Sequence, residues 1–371
     1  MQGILYIGTD LKGHTLIVVM KRKKTKKIFV GSVEVGDSSP VSVQSMTNTD
    51  TRDVKATVSQ IRRLEKAGCD IARVAVPDDE TAEVLNDIVR KVNIPVVADI
   101  HFNYRLALKS IDSGAACIRI NPGNIGNIKR LEKVVNKAAD AGIPIRVGIN
   151  SGSLEKDILK KYGHPTAGAL VESALRNINL IEKMHFENIK VSIKSSDVVT
   201  SIEAYRDLSK KTRYPLHIGI TEAGTAFSGT IKSSVGLGIL LNEGIGDTLR
   251  VSLSADPVKE VLVGFEILKS LGMRSWGPEL ISCPTCARQQ ADVIQIAQRI
   301  EKKMAGFKSP FKVAVMGCEV NGPGEAKEAD VGLAGSKKCG VIFKKGKIVK
   351  KVEKKEMFDA LLEEIKKLET R

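Results

Sequence analysis

Between Pro40 and Ser270 a short apolar run rich in β-branched residues alternates eight times with a longer segment of helical period. The runs predicted as strands are Val41–Met46, Ile71–Val76, Pro95–Ile100, Cys117–Ile120, Ile145–Ile149, Ile189–Ile193, Leu216–Ile220 and Thr248–Leu253. Between them, Val54–Ala67, Glu80–Val92, Leu131–Ala141, Gly168–Met184 and Pro257–Leu271 carry apolar residues at i, i+3 and i+4. Strict alternation requires parallel strands with crossover helices. Eight repeats in this length fit a closed (β/α)8 TIM-type barrel better than an open doubly wound sheet. No glycine-rich dinucleotide loop follows the first strand, which also argues against the open sheet.

A barrel places its working residues at the carboxyl ends of the strands, on inward faces that recur every second residue. The strand ends read Arg119-x-Asn121, Arg146-x-Gly148-x-Asn150, Ser192-x-Lys194 and Arg250-x-Ser252. Asp99-x-His101 and His217 mark two further strands, with Arg73 earlier and Glu222 just beyond the seventh. Five cations, Arg73, Arg119, Arg146, Lys194 and Arg250, would share one rim. Clustered like charges repel unless an anion compensates them. The expected ligand is therefore a polyanion, a phosphate or diphosphate ester held by forked Arg and point-charge Lys contacts.

The last ninety-odd residues differ. Cys283-Pro284-Thr285-Cys286 follows the turn-rich stretch Gly272–Glu279, and Cys318 stands in the Gly/Pro-rich segment Gly317-Cys318-Glu319-Val320-Asn321-Gly322-Pro323-Gly324-Glu325. A lone CxxC is ambiguous among zinc, thiol redox chemistry and chance. A third cysteine in a loop whose backbone can wrap an inorganic body favours an iron–sulfur cluster. A structural zinc site would want four Cys or His ligands, and no histidine follows His217. Three thiolates leave one iron for a weaker ligand or for substrate, and Glu325 is the candidate oxygen ligand. Cys69, Cys117 and Cys339 read as small core residues. The rival reading is a barrel lyase or transferase acting on a phosphorylated small molecule, its C-terminal unit a structural zinc module.

The formal net charge is +15, and position decides what it means. Residues 1–31 carry seven Lys/Arg against one Asp, and residues 337–371 carry twelve against six acids, so the middle of the chain is nearly neutral. Aromatic residues make up 4%, too few for the stacking surfaces of a nucleic-acid binder, and no nucleic-acid partner is expected. Lys21–Lys27 reads as a solvated basic tail, and Met20 immediately before it is an alternative start codon, which leaves open whether residues 1–19 are native. No apolar run reaches the roughly 18 residues that span a bilayer. No secretory signal is evident either, so a cytoplasmic protein without membrane attachment is expected. Residues 1–28 are assigned to the tail, 29–272 to the barrel and 273–371 to the cluster domain. The lysines of 337–355, Lys344, Lys345 and Lys347 among them, would steer an acidic redox partner.

Together these segments resemble the bacterial 4-hydroxy-3-methylbut-2-enyl diphosphate synthases. The likeness runs from about Lys27 to Glu369. It rests on Val43-Gln44-Ser45-Met46-Thr47-Asn48-Thr49-Asp50-Thr51, Ala98-Asp99-Ile100-His101-Phe102, Arg119-Ile120-Asn121-Pro122-Gly123-Asn124, Arg146-Val147-Gly148-Ile149-Asn150-Ser151-Gly152-Ser153-Leu154 and both cysteine motifs. It implies a substrate-binding barrel and a small α/β cluster domain like that of sulfite and nitrite reductases, in a homodimer. It further implies 2-C-methyl-D-erythritol 2,4-cyclodiphosphate as substrate and flavodoxin or ferredoxin as electron donor. Cys283, Cys286, Cys318 and Glu325 would bind a [4Fe–4S] cluster. Arg73, Arg119, Asn121, Arg146, Asn150, Ser192, Lys194, His217, Arg250 and Ser252 would line the substrate site, and Glu222 would supply a proton.

Overall fold

Every one of the eight alternating apolar runs forms a strand, and all eight pair in parallel. The computed structural model describes residues 4–9, 15–20, 22–284, 286–287, 289–318 and 326–369. It divides into two units, Met1–Arg274 and Ser275–Arg371.

In the first unit, β1 (Ile4–Thr9) pairs antiparallel with β2 (Thr15–Met20), and β3 (Ile28–Val30) with β4 (Val33–Val35). The barrel strands are β5 (Ser42–Met46), β6 (Ile71–Ala75), β7 (Val96–Asp99), β8 (Cys117–Ile120), β9 (Ile145–Asn150), β10 (Ile189–Lys194), β11 (His217–Ile218) and β12 (Thr248–Leu249). Strands β5 to β10 are neighbours in chain order, while β12 lies between β5 and β11. A parallel bridge from Val191 to Leu216 joins β10 to the chain entering β11 and closes the ring.

The crossover helices are α1 (Val54–Lys66), α2 (Asp79–Val89), α3 (Tyr104–Asp112), α4 (Ile128–Asp140), α5 (Lys156–Tyr162), α6 (Ala167–Glu182), α7 (Val198–Lys211), α8 (Ala226–Asn242) and α9 (Pro257–Ser270). Short polar side chains start them where the strand-end loops finish. Asp53, Asn103, Asn127, Thr166, Asp197 and Asp256 each accept a backbone N–H of the first turn. Asp78 and Thr81 form a reciprocal capping box on α2.

Strand β9 shows how the barrel handles two faces: Ile145, Val147 and Ile149 alternate with Arg146, Gly148 and Asn150. Both sets are largely buried, the apolar one outward toward the helices and the polar one inward. Two strands are shorter than expected, β11 ending at Ile218 and β12 at Leu249. Beyond β12 the Leu253 N–H is captured by the Glu260 carboxylate instead of by a neighbouring strand. Arg250 and Ser252 thus lie in a loop.

The opposite end of the barrel is plugged. Ile28, Val30 and Val35 of the β3–β4 hairpin pack against Ile71, Val97 and Cys117, which sit at or near the starts of β6, β7 and β8. Burying a side chain of this size contributes about 1.5–3 kcal/mol.

The expectation of a solvated tail over Lys21–Lys27 is corrected here. Arg22 Nη2 and Thr25 Oγ1 both donate to Asp247 Oδ1 at 3.0 Å, and Lys23 Nζ donates to the Thr212 carbonyl. Asp247 is 2% exposed, and a buried carboxylate without partners is costly, so it draws this segment onto the barrel. Lys24 and Lys27 remain exposed.

In the second unit, β13 (Glu279–Ser282), β14 (Lys312–Met316) and β15 (Val331–Gly335) are parallel, and β16 (Cys339–Lys344) and β17 (Lys347–Glu353) continue the sheet antiparallel. Helices α10 (Val293–Met304) and α11 (Met357–Glu369) bury Ile300, Leu361 and Ile365 against Val313, Val315 and Leu333 on one face. Among the described residues no helix is long and apolar enough to cross a membrane.

Candidate active site

At the carboxyl ends of the barrel strands, basic side chains converge on one carboxylate. Arg119 Nη1 donates to Asp99 Oδ1 at 3.0 Å, and Arg73 Nε lies 3.5 Å from Asp99 Oδ2. Arg119 Nη2 reaches the Gly148 carbonyl, and the Asn150 amide, oriented to satisfy both its neighbours, places its oxygen 3.2 Å from the same nitrogen. Arg146 Nη1 donates to Gln44 Oε1 at 2.9 Å, and Arg73 also points its Nε and Nη2 at Met46 Sδ. Arg250 pairs with Glu260 at 3.3 Å.

The electrostatics follow from this crowding. Burial alone would raise the Asp99 carboxyl, but Arg73, Arg119 and Arg146 outweigh it and hold it well below the usual carboxylate range. Burial pushes the Lys194 ammonium far down, and Arg146, Arg73, Arg250 and Arg119 push the same way. Burial and then Arg119 lower Arg146 to about 10. Five buried or nearly buried cations with two contacting carboxylates form a site that gains most from an arriving anion. Beside Arg250 and Glu260 a cavity of about 460 Å³ opens among Met46, Thr47, Asn48 and Leu253.

The other expected residues are placed less uniformly. Ser192 is buried on β10 next to the Val147 carbonyl, and Ser252 is half-buried. The Asn121 amide is engaged locally, accepting from Gly123 N and reaching Ser153. His101 is exposed, 4.0 Å from Asp99. His217 is wholly buried and held neutral, first by burial and then by Arg146, Lys194, Lys190 and Arg73. Glu222 is exposed in the β11–α8 loop with φ of 50°, a left-handed conformation that an ordinary side chain rarely adopts.

Residues outside the expected set complete the site. A Cβ on Gly148 would stand 2.3 Å from Arg119 Nε, and one on Gly219 would stand 2.8 Å from Lys194 Nζ. These two glycines are the space through which the cations reach the axis. Gln44 and Met46 of β5 and Glu260 of α9 supply partners from elsewhere in the chain. Gly148 and Gly219 each recur two residues from an inward residue, the one signal that could have marked them.

The cysteine motifs occupy one edge of the second sheet. Cys283 follows β13 directly and Cys318 stands two residues past β14, its parallel neighbour. Backbone bonds knit the two loops: Cys283 N to Val315 O, and Gln290 N to Gly317 O at 2.8 Å. Gly317 N donates to Cys283 Sγ at 3.1 Å, and a Cβ on Gly317 would stand 2.7 Å from Val293 and 3.4 Å from that sulfur.

Among the described residues no three His, Cys, Asp or Glu side chains are drawn close enough to hold a metal ion. Glu325 lies outside the described residues. The donor set itself fits an iron–sulfur cluster: soft thiols on adjoining loops, a backbone N–H turned to sulfur, and a glycine that keeps the backbone close. Cys69 and Cys117 are buried core residues, burial pushing the Cys69 thiol up to about 12, whereas Cys339 is half-buried beside Ser336 Oγ rather than in the core.

Residues 25–265 match the family described as the GcpE TIM-barrel domain, and residues 279–367 that of the GcpE protein C-terminal domain. A Desulfotalea psychrophila protein named 4-hydroxy-3-methylbut-2-en-1-yl diphosphate synthase (flavodoxin) is 58% identical over 354 residues, 95% of this chain and 97% of its own. Proteins of the same name from Clostridium tetani and Geobacter sulfurreducens are 56% and 57% identical, each across 94% of this chain and 100% and 98% of their own.

Proposed function

The chain belongs to the GcpE family, and on that premise we propose that it converts 2-C-methyl-D-erythritol 2,4-cyclodiphosphate to 4-hydroxy-3-methylbut-2-enyl diphosphate in isoprenoid precursor synthesis. In this reaction a ring C–O bond breaks, a carbon–carbon double bond forms, and a hydroxyl leaves as water. Two electrons and the protons that balance them are consumed. The observation that carries the reading is the cationic barrel mouth, where Arg73, Arg119, Arg146, Lys194 and Arg250 gather around only two carboxylates, Asp99 in contact with Arg73 and Arg119 and Glu260 in contact with Arg250.

The cyclic diphosphate supplies the missing negative charge. Arg119, Arg146 and Lys194, with Asn150, Ser192, Arg250 and Ser252, hold its phosphates, and Arg73, Asn121 and His217 shape the wall behind them. Forked guanidinium contacts fix its orientation, while water is displaced from a site already short of acceptors. Glu222 donates the proton that lets the departing hydroxyl leave as water. Its exposed position beyond β11 places it on a loop rather than among the buried cations.

Cys283, Cys286, Cys318 and Glu325 would hold a [4Fe–4S] cluster, which when bound supplies the electrons and a Lewis-acidic iron. Flavodoxin, which forms part of the relatives' name, or a ferredoxin delivers those electrons. The reading includes a homodimer working in the cytoplasm.

Anaerobic metal analysis tests the cluster half of this proposal. Brown protein with iron and acid-labile sulfide in equal amounts is expected. Colourless protein carrying zinc would overturn it in favour of a barrel lyase with a structural zinc module.

A further inference from the structure

The barrel contains a second charged group that the substrate site does not use. Lys190 faces the interior of β10 four residues before Lys194, about 13 Å lower along the strand at about 3.3 Å per residue. It is paired across the sheet with Arg146 and is wholly buried, and its Nζ has no hydrogen-bond partner.

The neighbouring layer shows the same deficit. Gln44 Nε2, Arg146 Nε and both ring nitrogens of His217 are likewise buried without partners. Apart from one lone pair on the neutral His217 ring, every one of these atoms is a donor. Nearby acceptors are already taken. Asp247 Oδ1 receives Arg22 and Thr25, and Asp247 Oδ2 receives the Leu216 N–H. Gln44 Oε1 receives Arg146, the His217 carbonyl receives the Tyr205 hydroxyl at 2.6 Å, and Ser42 and Thr248 bond to each other.

Buried donors are seldom left unpaired, so the missing partner must accept hydrogen bonds. Water could accept, but it brings no charge, and Asp247, the carboxylate that favours the Lys190 ammonium against Arg146 and Arg73, is already paired with Arg22 and so compensates it only in part. We infer that the barrel interior beside Lys190 Nζ holds a small monovalent inorganic anion of the halide class, beneath and separate from the diphosphate at the mouth. Burial lowers the empty Lys190 to about 8, and the anion reverses that by favouring its charged form.

The test uses the full-length protein and bromide in place of chloride. Crystals in sodium bromide should show an anomalous peak beside Lys190 Nζ. Thermal unfolding should shift upward by a few degrees in chloride relative to gluconate at equal ionic strength. Lys190→Met should lose both the peak and the shift. If that variant does not fold, the wild-type map decides alone. Ordinary water density at Lys190 with no anomalous signal, or bromide found at the mouth alone, would overturn the inference.

Discussion

Arg119 and Gly148 fit together as a side chain and the gap it needs. The guanidinium passes so close to Gly148 that a methyl there would stand 2.3 Å from Nε, and its Nη2 ends on the Gly148 carbonyl. Contacts under 3.0 Å force something to move, and here the Arg119 fork would have to leave Asp99. Gly148→Ala should therefore keep the barrel folded but weaken binding of the cyclic diphosphate. One buried charge-assisted contact is worth about 1.5–3 kcal/mol, so at least a tenfold loss is expected by calorimetry. Unchanged affinity would remove Arg119 from the phosphate contacts.

Glu222→Gln keeps size and hydrogen bonding but cannot deliver a proton. Turnover should fall by about 10²–10⁴ while substrate affinity stays within twofold of the parent. Single-turnover kinetics beside equilibrium binding separate the two effects. A parent-like rate would take Glu222 out of the chemistry.

Most of the barrel was legible in the sequence because buried parallel strands are continuous apolar runs bounded by turns. Cys117–Ile120 matches at both ends, and α1 and α9 each differ from expectation by a single residue at the end. The cations at the strand ends were legible for the related reason that inward positions recur every second residue. What escaped depends on ring closure. Gln44 meets Arg146 across 102 residues, and Arg22 meets Asp247 across 225, distances at which no local pattern operates. Lys190 was hidden inside an apolar run, where period two does not distinguish a working side chain from a structural one.

The sheet topology of the second unit also revises which lysines would guide an acidic electron donor. Strands β13 to β15 run parallel and end at the cysteine edge, where β16 begins and β17 finishes. Lys337, Lys338 and Lys354 therefore stand at that edge, whereas the turn with Lys344, Lys345 and Lys347 is at the opposite one, with Lys344 paired to Glu364. Six residues of β16 separate the edges by roughly 20 Å, about twice the screening length at physiological salt. Replacing Lys337, Lys338 and Lys354 by Gln should flatten the ionic-strength dependence of reduction by flavodoxin. The same change at Lys344, Lys345 and Lys347 should leave the slope in place, and the reverse pattern would contradict this assignment.

Lys190 also makes stability depend on pH. Its folded value, about 8 without a bound anion, lies below its ordinary 10.5. Within that window the unfolded chain binds a proton that the folded chain does not, so stability rises with pH. In halide-free buffer, denaturation free energies should climb from pH 8 to 10 relative to Lys190→Met, with a slope of at most about 1.4 kcal/mol per pH unit. A difference that is flat or falls across the window would contradict burial of an unpaired amine.

Turnover tests the central claim most directly. Anaerobic protein, reduced flavodoxin and 2-C-methyl-D-erythritol 2,4-cyclodiphosphate can be followed by phosphorus NMR. The account predicts that the two phosphorus signals of the cyclic substrate give way to those of a linear allylic diphosphate, and that Arg146→Ala slows this chiefly by raising KM. Iron-loaded, reducible protein that leaves the cyclic diphosphate intact would contradict it.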